Sequence, residues 1–263
     1  MAKISAFIIA KNEEARIARA INSLKEISEE IIVIDSGSTD NTVGISKDLG
    51  ARVVFNEWSG YVNQKIFGES LCKNDWIINL DADEELTKEL QEEIALLFKT
   101  EKQDKYKAYD MNMIIMHRND SKPRLFAPNN YFIRLYNKNY IGFFNTSGYT
   151  THDVVSWSSG YGSDTDFTKL KAPALHYSGA SIEQLVAKAN FYSSEQAKDM
   201  LASGRKISSI RVISEFFFWL IKAFFIRRYF VFGFDGFVDS MIFSFARFLR
   251  LSKARELQRK GEK

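Results

Sequence analysis

Four short apolar runs constrain the first hundred residues: 4–10 (ISAFIIA), 31–35 (IIVID), 52–55 (RVVF) and 76–80 (WIINL). Each has the length of a strand, and two are rich in β-branched residues. Between them the apolar spacing becomes helical. Ile17, Ile21 and Leu24 mark one face of a helix, Asp40 is an N-cap for a second, and Thr87 caps another carrying Leu90, Ile94 and Leu97. Parallel neighbours need a crossover, usually a helix, so this alternation predicts an α/β fold whose mostly parallel sheet is covered on both faces.

Ligands of such sheets bind beyond the carboxyl ends of the strands. Four polar stretches stand there: AKNEE, SGSTD, NEWSG and DADEE. Turn chemistry accounts for SGST. It does not account for Asp35, Asp81 and Asp83 at the tips of strands on one sheet edge. An Asp-x-Asp alone is either an acidic turn or a cation site. Hard cations such as Mg²⁺ and Mn²⁺ use few protein carboxylates together with substrate phosphates, and the clustering of three aspartates favours the cation site. Glu84 and Glu85 are read as the start of the following helix, where acids complement the helix dipole.

From about 105 to 175 the pattern is irregular, with strand-like pieces such as 131–136 (YFIRLY). A helix resumes at Ser-Ile-Glu-Gln, 181–184, which reads as a capping box. The single Cys72 excludes an internal disulfide and is read as a packing residue, which fits a reducing cytosol. The apolar stretch near the N-terminus is too short for a signal peptide and reads as the first strand.

The net charge of +3 conceals an asymmetry. Residues 205–263 hold 13 basic and 5 acidic residues, with 14 of the 37 aromatics. Within 212–248, Phe217, Leu220, Ile221, Phe224 and Phe225 follow helical spacing, while Phe216, Phe218 and Trp219 make the segment apolar nearly all round. Gly233 and Gly236 are expected to break the helix. Two readings stand: an interfacial segment on an anionic membrane, or a helix pair buried against protein. No uninterrupted apolar run approaches the roughly 20 residues of a membrane span.

The set FIIAKNEE, VIDSGSTDNT, NQK at 63–65 and NDWIINLDADEEL resembles family-2 glycosyltransferases of GT-A fold, with their Rossmann-like nucleotide-sugar-binding sheet. More narrowly it is similar to the branch that adds β-linked glucose or a related sugar to the lipopolysaccharide inner core. THDVV at 151–155 and LHYSGASIEQLVAKANFYSSEQA at 175–197 extend the resemblance to about residue 200. It implies a catalytic domain over 1–204, split at 100 into donor and acceptor halves, followed by a basic, aromatic helical extension over 205–263. It implies that Ile9, Lys11, Glu13, Asp35, Lys65 and Asp81 bind a UDP-sugar, with UDP-glucose favoured. Asp83 would hold a divalent metal, Mn²⁺ or Mg²⁺. His176 would complete the metal shell or touch the diphosphate, against a plainer role as a core or capping histidine.

The base of an inverting transfer is assigned to Asp153, where the branch usually has Glu, with Asp164 and Asp166 as competitors. The substitution keeps the carboxylate and shortens its reach by one methylene. His152 and Arg134 would meet the acceptor, a lipid-linked saccharide, at the inner face of the cytoplasmic membrane. Arg134 has a solvated surface charge as its alternative. Nothing resembles the Gln-x-x-Arg-Trp element of processive synthases, so single-sugar transfer is expected. A nucleotidyltransferase of similar fold ranks lower, because KNEE stands where a Gly-rich phosphate loop belongs. A noncatalytic nucleic-acid-binding role ranks lower too, since the tail's rings are mostly Phe in long apolar runs rather than alternating with cations.

Overall fold

The computed structural model describes residues 3–118, 120–144, 155–177, 181–202 and 207–261. The chain divides into two compact units, residues 1–114 with 130–176 and residues 115–129 with 177–263.

The first unit opens as β1 (Ile4–Ala10), α1 (Ile17–Leu24), β2 (Glu30–Asp35), α2 (Thr42–Asp48), β3 (Arg52–Phe55), α3 (Tyr61–Ser70) and β4 (Trp76–Asp81). It continues with β5 (Glu84–Leu86), α4 (Lys88–Lys99), β6 (Ala108–Ile115), β7 (Asn129–Asn137), β8 (Ile141–Gly142), β9 (Ser156–Trp157) and β10 (Phe167–His176). Eight strands form one sheet in the order β3-β2-β1-β4-β7-β6-β10-β5, and β8 pairs with β9 separately. The joins β3·β2, β2·β1 and β1·β4 are parallel, while β4·β7 and β10·β5 are antiparallel.

Alternation along β1 feeds two cores, as a period of two requires. Ile4, Ala6 and Ile8 pack with Ile17 and Ile21 of α1 and Ile94 of α4. Phe7 points to the other face, against Ile66 and Phe67 of α3 and Tyr136 of β7. Helix α3 lies so close that a Cβ on Gly68 would stand 2.6 Å from the Phe7 ring and 2.9 Å from Ile34. Gly68→Val is therefore expected to lower unfolding free energy by about 1–3 kcal/mol, read as a drop in the urea midpoint. An unchanged midpoint would mean that α3 is free to move off the sheet.

Cys72 is buried on this second face, and burial pushes its thiol up to about 12, which agrees with a packing role. Thr87 caps α4 as expected, accepting from the Leu90 amide at 3.3 Å. Asp40 stands one residue before the cap of α2 and accepts from the Thr42 amide at 3.0 Å.

The chain runs from β1 outward to β2 and β3, then returns so that β4 adds on the opposite side of β1. This reversal is a topological switch point, and a crevice opens there at the strand C-termini. The register aligns Phe55 with Asp35, Asp35 with Ala10 and Asp81 with Ile9, so the four tips stand side by side.

The second unit contains α5 (Ile182–Ala202), α6 (Ser209–Ile221), a π-helical turn over Lys222–Ile226, a tight 3₁₀ turn over Tyr229–Phe232, and α7 (Gly233–Gly261). Ser181 caps α5 by accepting from the Gln184 amide at 3.1 Å, as the capping box predicts. The boundary expected at 204 does not separate the compact units. Ala197 of α5 is buried with Leu251 and Ala254 of α7, and the Lys253 ammonium donates to Asn190, Ser193 and Ser194.

The expected helix break also moves. It lies in the segment before Gly233, where Arg228 adopts a left-handed φ of 63°, and both glycines fall inside α7. Phe217, Phe218, Phe225 and Phe234 are each more than half exposed on this unit. Tyr229–Arg259 is the one helix, among the described residues, long and apolar enough by length and composition to cross a membrane. It is not an uninterrupted apolar run, because Asp235, Asp239 and Arg247 punctuate it.

Candidate active site

The loops after β1 and β2 are laced together. The Asn12 amide donates to Ser38 Oγ at 2.9 Å, and the Thr39 amide returns a bond to Asn12 Oδ1 at 2.8 Å. The Glu13 amide donates to Thr42 Oγ1 at 2.7 Å, the Glu14 amide to Asp40 at 3.1 Å, and the Asn41 amide to Glu14 at 2.9 Å. Most of the polar character of these two tips thus satisfies backbone groups that would otherwise be orphaned.

Two of the expected nucleotide contacts share this work. The Asp35 carboxylate accepts from the amides of Gly37 and Ser38, at 2.9 and 3.0 Å, and from Ser38 Oγ at 2.5 Å. Glu13 receives the Arg16 guanidinium through two bonds of 2.7 and 2.8 Å. Lys11 is exposed at the crevice rim and Ile9 is half-buried in the floor.

At the fourth tip the two aspartates have different surroundings. Asp81 receives Lys65 Nζ from α3 at 3.0 Å and Arg134 Nη2 from β7 at 2.6 Å. Arg134 Nη2 also lies 2.5 Å from Glu84 Oε1, and Glu84 Oε2 accepts the Asp81 amide at 2.9 Å. Arg134 Nη1 reaches Asn79 at 3.3 Å. Lys65 has no exposed side-chain surface, and Glu84 has almost none. Two cations therefore balance two carboxylates within the sheet. Burial disfavours charge on Asp81, but Arg134 and Lys65 outweigh it and hold the carboxyl well below the usual range. On Glu84 burial prevails over Arg134, and its pKa is raised.

Asp83 faces the other way. Its Oδ2 lies 3.6 Å from His176 Nε2 and 3.7 Å from Arg16 Nη1. His176 arrives at the end of β10, whose register places it opposite Glu84 of β5. Burial opposes charge on both partners, and their pairing reverses it, lowering Asp83 and raising His176. Asp83 and His176 thus present one carboxylate and one imidazole beside the crevice. Among the described residues no group of three or more His, Cys, Asp or Glu converges as a metal cage. A two-ligand site fits a hard cation whose remaining positions are filled by phosphate oxygens and water.

The structure therefore brings Asp35, Lys65, Asp81, Asp83 and His176 to one sheet edge. Arg134, expected toward the acceptor or solvent, is buried in the ion network beneath that edge. His152 and Asp153 lie outside the described residues. Of the competing bases, Asp166 folds onto its own turn, accepting from Ser163 Oγ at 2.8 Å and from the amides of Gly162 and Ser163, while Asp164 is exposed.

The model of the glycosyl transferase family 2 domain matches residues 5–155, more than half of the chain and all four strand tips described above. The chain belongs to glycosyl transferase family 2. A Rickettsia bellii protein named as a glycosyltransferase is 62% identical over 97% of this chain and 87% of its own length. A lipopolysaccharide core biosynthesis glycosyltransferase, LpsC, of Rhizobium meliloti is 44% identical over 34% of each chain. A solved glucosyl-3-phosphoglycerate synthase from Mycobacterium tuberculosis, with Mn²⁺, UDP and glucosyl-3-phosphoglycerate, is 24% identical over 44% of each chain. Its TM-score is 0.35, a likeness too partial to carry chemistry across.

In this glycosyltransferase two residues whose part in the site the sequence did not show are Glu84 and Arg16. Glu84 does not open a helix: it lies on β5, buried, and bonds both Arg134 and the Asp81 amide. A signal was present, because a Thr87 cap starts the helix at residue 88 and leaves 84–86 outside it. Arg16, which links Glu13 to Asp83, had no comparable signal.

Proposed function

We propose that this glycosyltransferase passes one hexose, with inversion, from a UDP-sugar to a saccharide carried on a lipid, of the lipopolysaccharide-core kind. UDP-glucose is the favoured donor. The observation that carries the reading is the Asp83–His176 pair, set at 3.6 Å beside the switch-point crevice of a family 2 fold. The partial similarity to LpsC supports the acceptor class. The exposed phenylalanines of α6 and α7, on a basic segment, support a place at the inner face of the cytoplasmic membrane.

Uracil and ribose would lie along the β1 and β2 tips, over Ile9, Lys11 and the Asp35 turn. Mg²⁺ or Mn²⁺ held by Asp83 and His176 would supply Lewis-acid stabilisation of the diphosphate leaving group. Lys65 and Arg134 fix Asp81 as a carboxylate, and the Glu84 contact to the Asp81 amide sets the backbone from which Asp83 projects. Arg16 holds Asp83 from the side of the β1 loop, so donor-loop and metal-side geometry are tied together. Asp153 would accept the proton of the attacking hydroxyl as the bond to the anomeric carbon forms from the opposite face.

The test is Asp153→Asn assayed with UDP-glucose and a lipopolysaccharide-core acceptor. Transfer is expected to fall 10²–10⁴-fold, the usual range for loss of a general base, with UDP affinity unchanged. Transfer at the parental rate would place the base elsewhere, with Asp164 as the next carboxylate to vary.

A further inference from the structure

The second unit holds a cavity of about 270 Å³ between its 115–118 segment, α5, the turn at Tyr229–Phe232 and α7. Its walls are apolar over most of their extent, with Leu185, Ala189, Ile242 and Phe243 among them. Its charges are not balanced. Arg118 is neutralised by Asp239 at 2.9 Å, and His117 faces Asp235 at 3.8 Å. Lys188, exposed at the mouth, and Arg247 in the wall have no carboxylate within ion-pair distance among the described residues.

The guanidinium of Arg247 instead lies against the rings of Trp219 at 4.5 Å and Phe243 at 5.2 Å. Glu215 on α6 is already bonded to Arg250 at 2.6 Å. A half-buried cation usually has a partner, because burial without one is costly. A pocket with greasy walls and two unmatched cations calls for a ligand with an apolar chain and an anionic head.

We propose that this cavity binds an anionic amphiphile, its phosphate between Lys188 and Arg247 and the first part of one chain along Leu185, Ala189 and Ile242. The volume, just below the roughly 300–1,000 Å³ of small-molecule sites, admits one chain segment rather than a whole lipid. Gln196 and Tyr229, also in the lining, supply polar groups for the phosphate oxygens. The site goes beyond the transfer reaction and does not depend on the acceptor being a lipid.

Trp219 beside Arg247 gives the full-length protein an internal fluorescence probe. Below its micellar concentration, dihexanoyl phosphatidic acid is expected to bind saturably. Dihexanoyl phosphatidylcholine should bind at least tenfold more weakly, and inorganic phosphate should not saturate the signal. Citronellyl phosphate is the isoprenoid arm: whichever phosphate binds more tightly identifies the lipid class.

Lys188→Gln with Arg247→Gln should weaken binding at least tenfold. Ala189→Phe, which fills the cavity, should abolish it while flotation with anionic vesicles is unchanged. Equal binding of the zwitterionic lipid, saturation by phosphate alone, or parental binding by either variant would overturn the assignment. If Ala189→Phe does not fold by circular dichroism, the charge pair and the lipid series decide the matter. Because none of these readouts uses sugar transfer, they can fail while the transferase reading stands, and the reverse.

Discussion

Replacing Asp83 with Ala is expected to reduce sugar transfer about 10³-fold, with little change in the thermal midpoint. The size follows from the role assigned to the side chain. A bound cation contributes several kcal/mol of stabilisation to the charge that develops on a leaving diphosphate, and about 4 kcal/mol corresponds to a thousandfold in rate. The fold should tolerate the change, because Asp83 is not part of the balanced network that joins Lys65, Arg134, Asp81 and Glu84. Its neighbour Arg16 keeps two bonds to Glu13, so no guanidinium is stranded.

A second readout separates metal holding from a general loss of shape. Mn²⁺ with UDP should raise the melting temperature of the parent and not that of Asp83→Ala, since a ligand that binds only the native state stabilises it by mass action. His176→Ala should show the same loss in smaller degree. Parental activity in Asp83→Ala would remove the metal assignment, and a retained Mn²⁺–UDP shift would move it to other residues.

Arg134→Met should have the opposite profile, a loss of stability first. Met fills much of the volume but leaves Glu84 buried and Asp81 with only Lys65. Removing one partner of a buried ion pair typically costs 3–5 kcal/mol, because the surviving charge is left without compensation. Chemical denaturation should therefore show a lower midpoint with an unchanged slope.

Restoring the balance tests the reason. Arg134→Met combined with Glu84→Leu should be less destabilising than the sum of the two single changes, by about 1–3 kcal/mol, as expected for residues in direct contact. Strict additivity would show that the network is not a unit. Arg134→Lys should not rescue, since a single ammonium cannot reproduce the guanidinium's simultaneous contacts to Asp81, Glu84 and Asn79.

Much of this architecture was legible in the chain. The apolar runs at 4–10, 31–35, 52–55 and 76–80 became β1 to β4; β1, β2 and β4 lie inside the sheet, where a strand covered on both faces must be apolar almost throughout, while β3 is a partly exposed edge strand. Thr87 and Ser181 cap the helices they announce, since a side-chain oxygen before a helical run meets an orphan amide wherever the rest of the chain lies. The aspartates at the β2 and β4 tips were placed on one edge by the parallel sheet itself. These are local or periodic signals, carried by residues near one another in sequence.

What the sequence could not assign is which partner each charge takes. Asp81 and Asp83 are separated by a single residue and read alike, yet one meets Lys65 and Arg134 and the other meets His176 and Arg16. Glu84 looked like a helix opener until β5 paired with β10, and Arg134 looked like an acceptor contact, or else a surface cation, until β7 paired with β4. Likewise α5 joined the C-terminal unit because Ala197 found Leu251 and Ala254 more than fifty residues later. The physical reason is common to all of these. Periodicity fixes which face of an element is apolar, whereas an ion pair depends on distances of a few ångströms between segments that only sheet order and helix packing bring together.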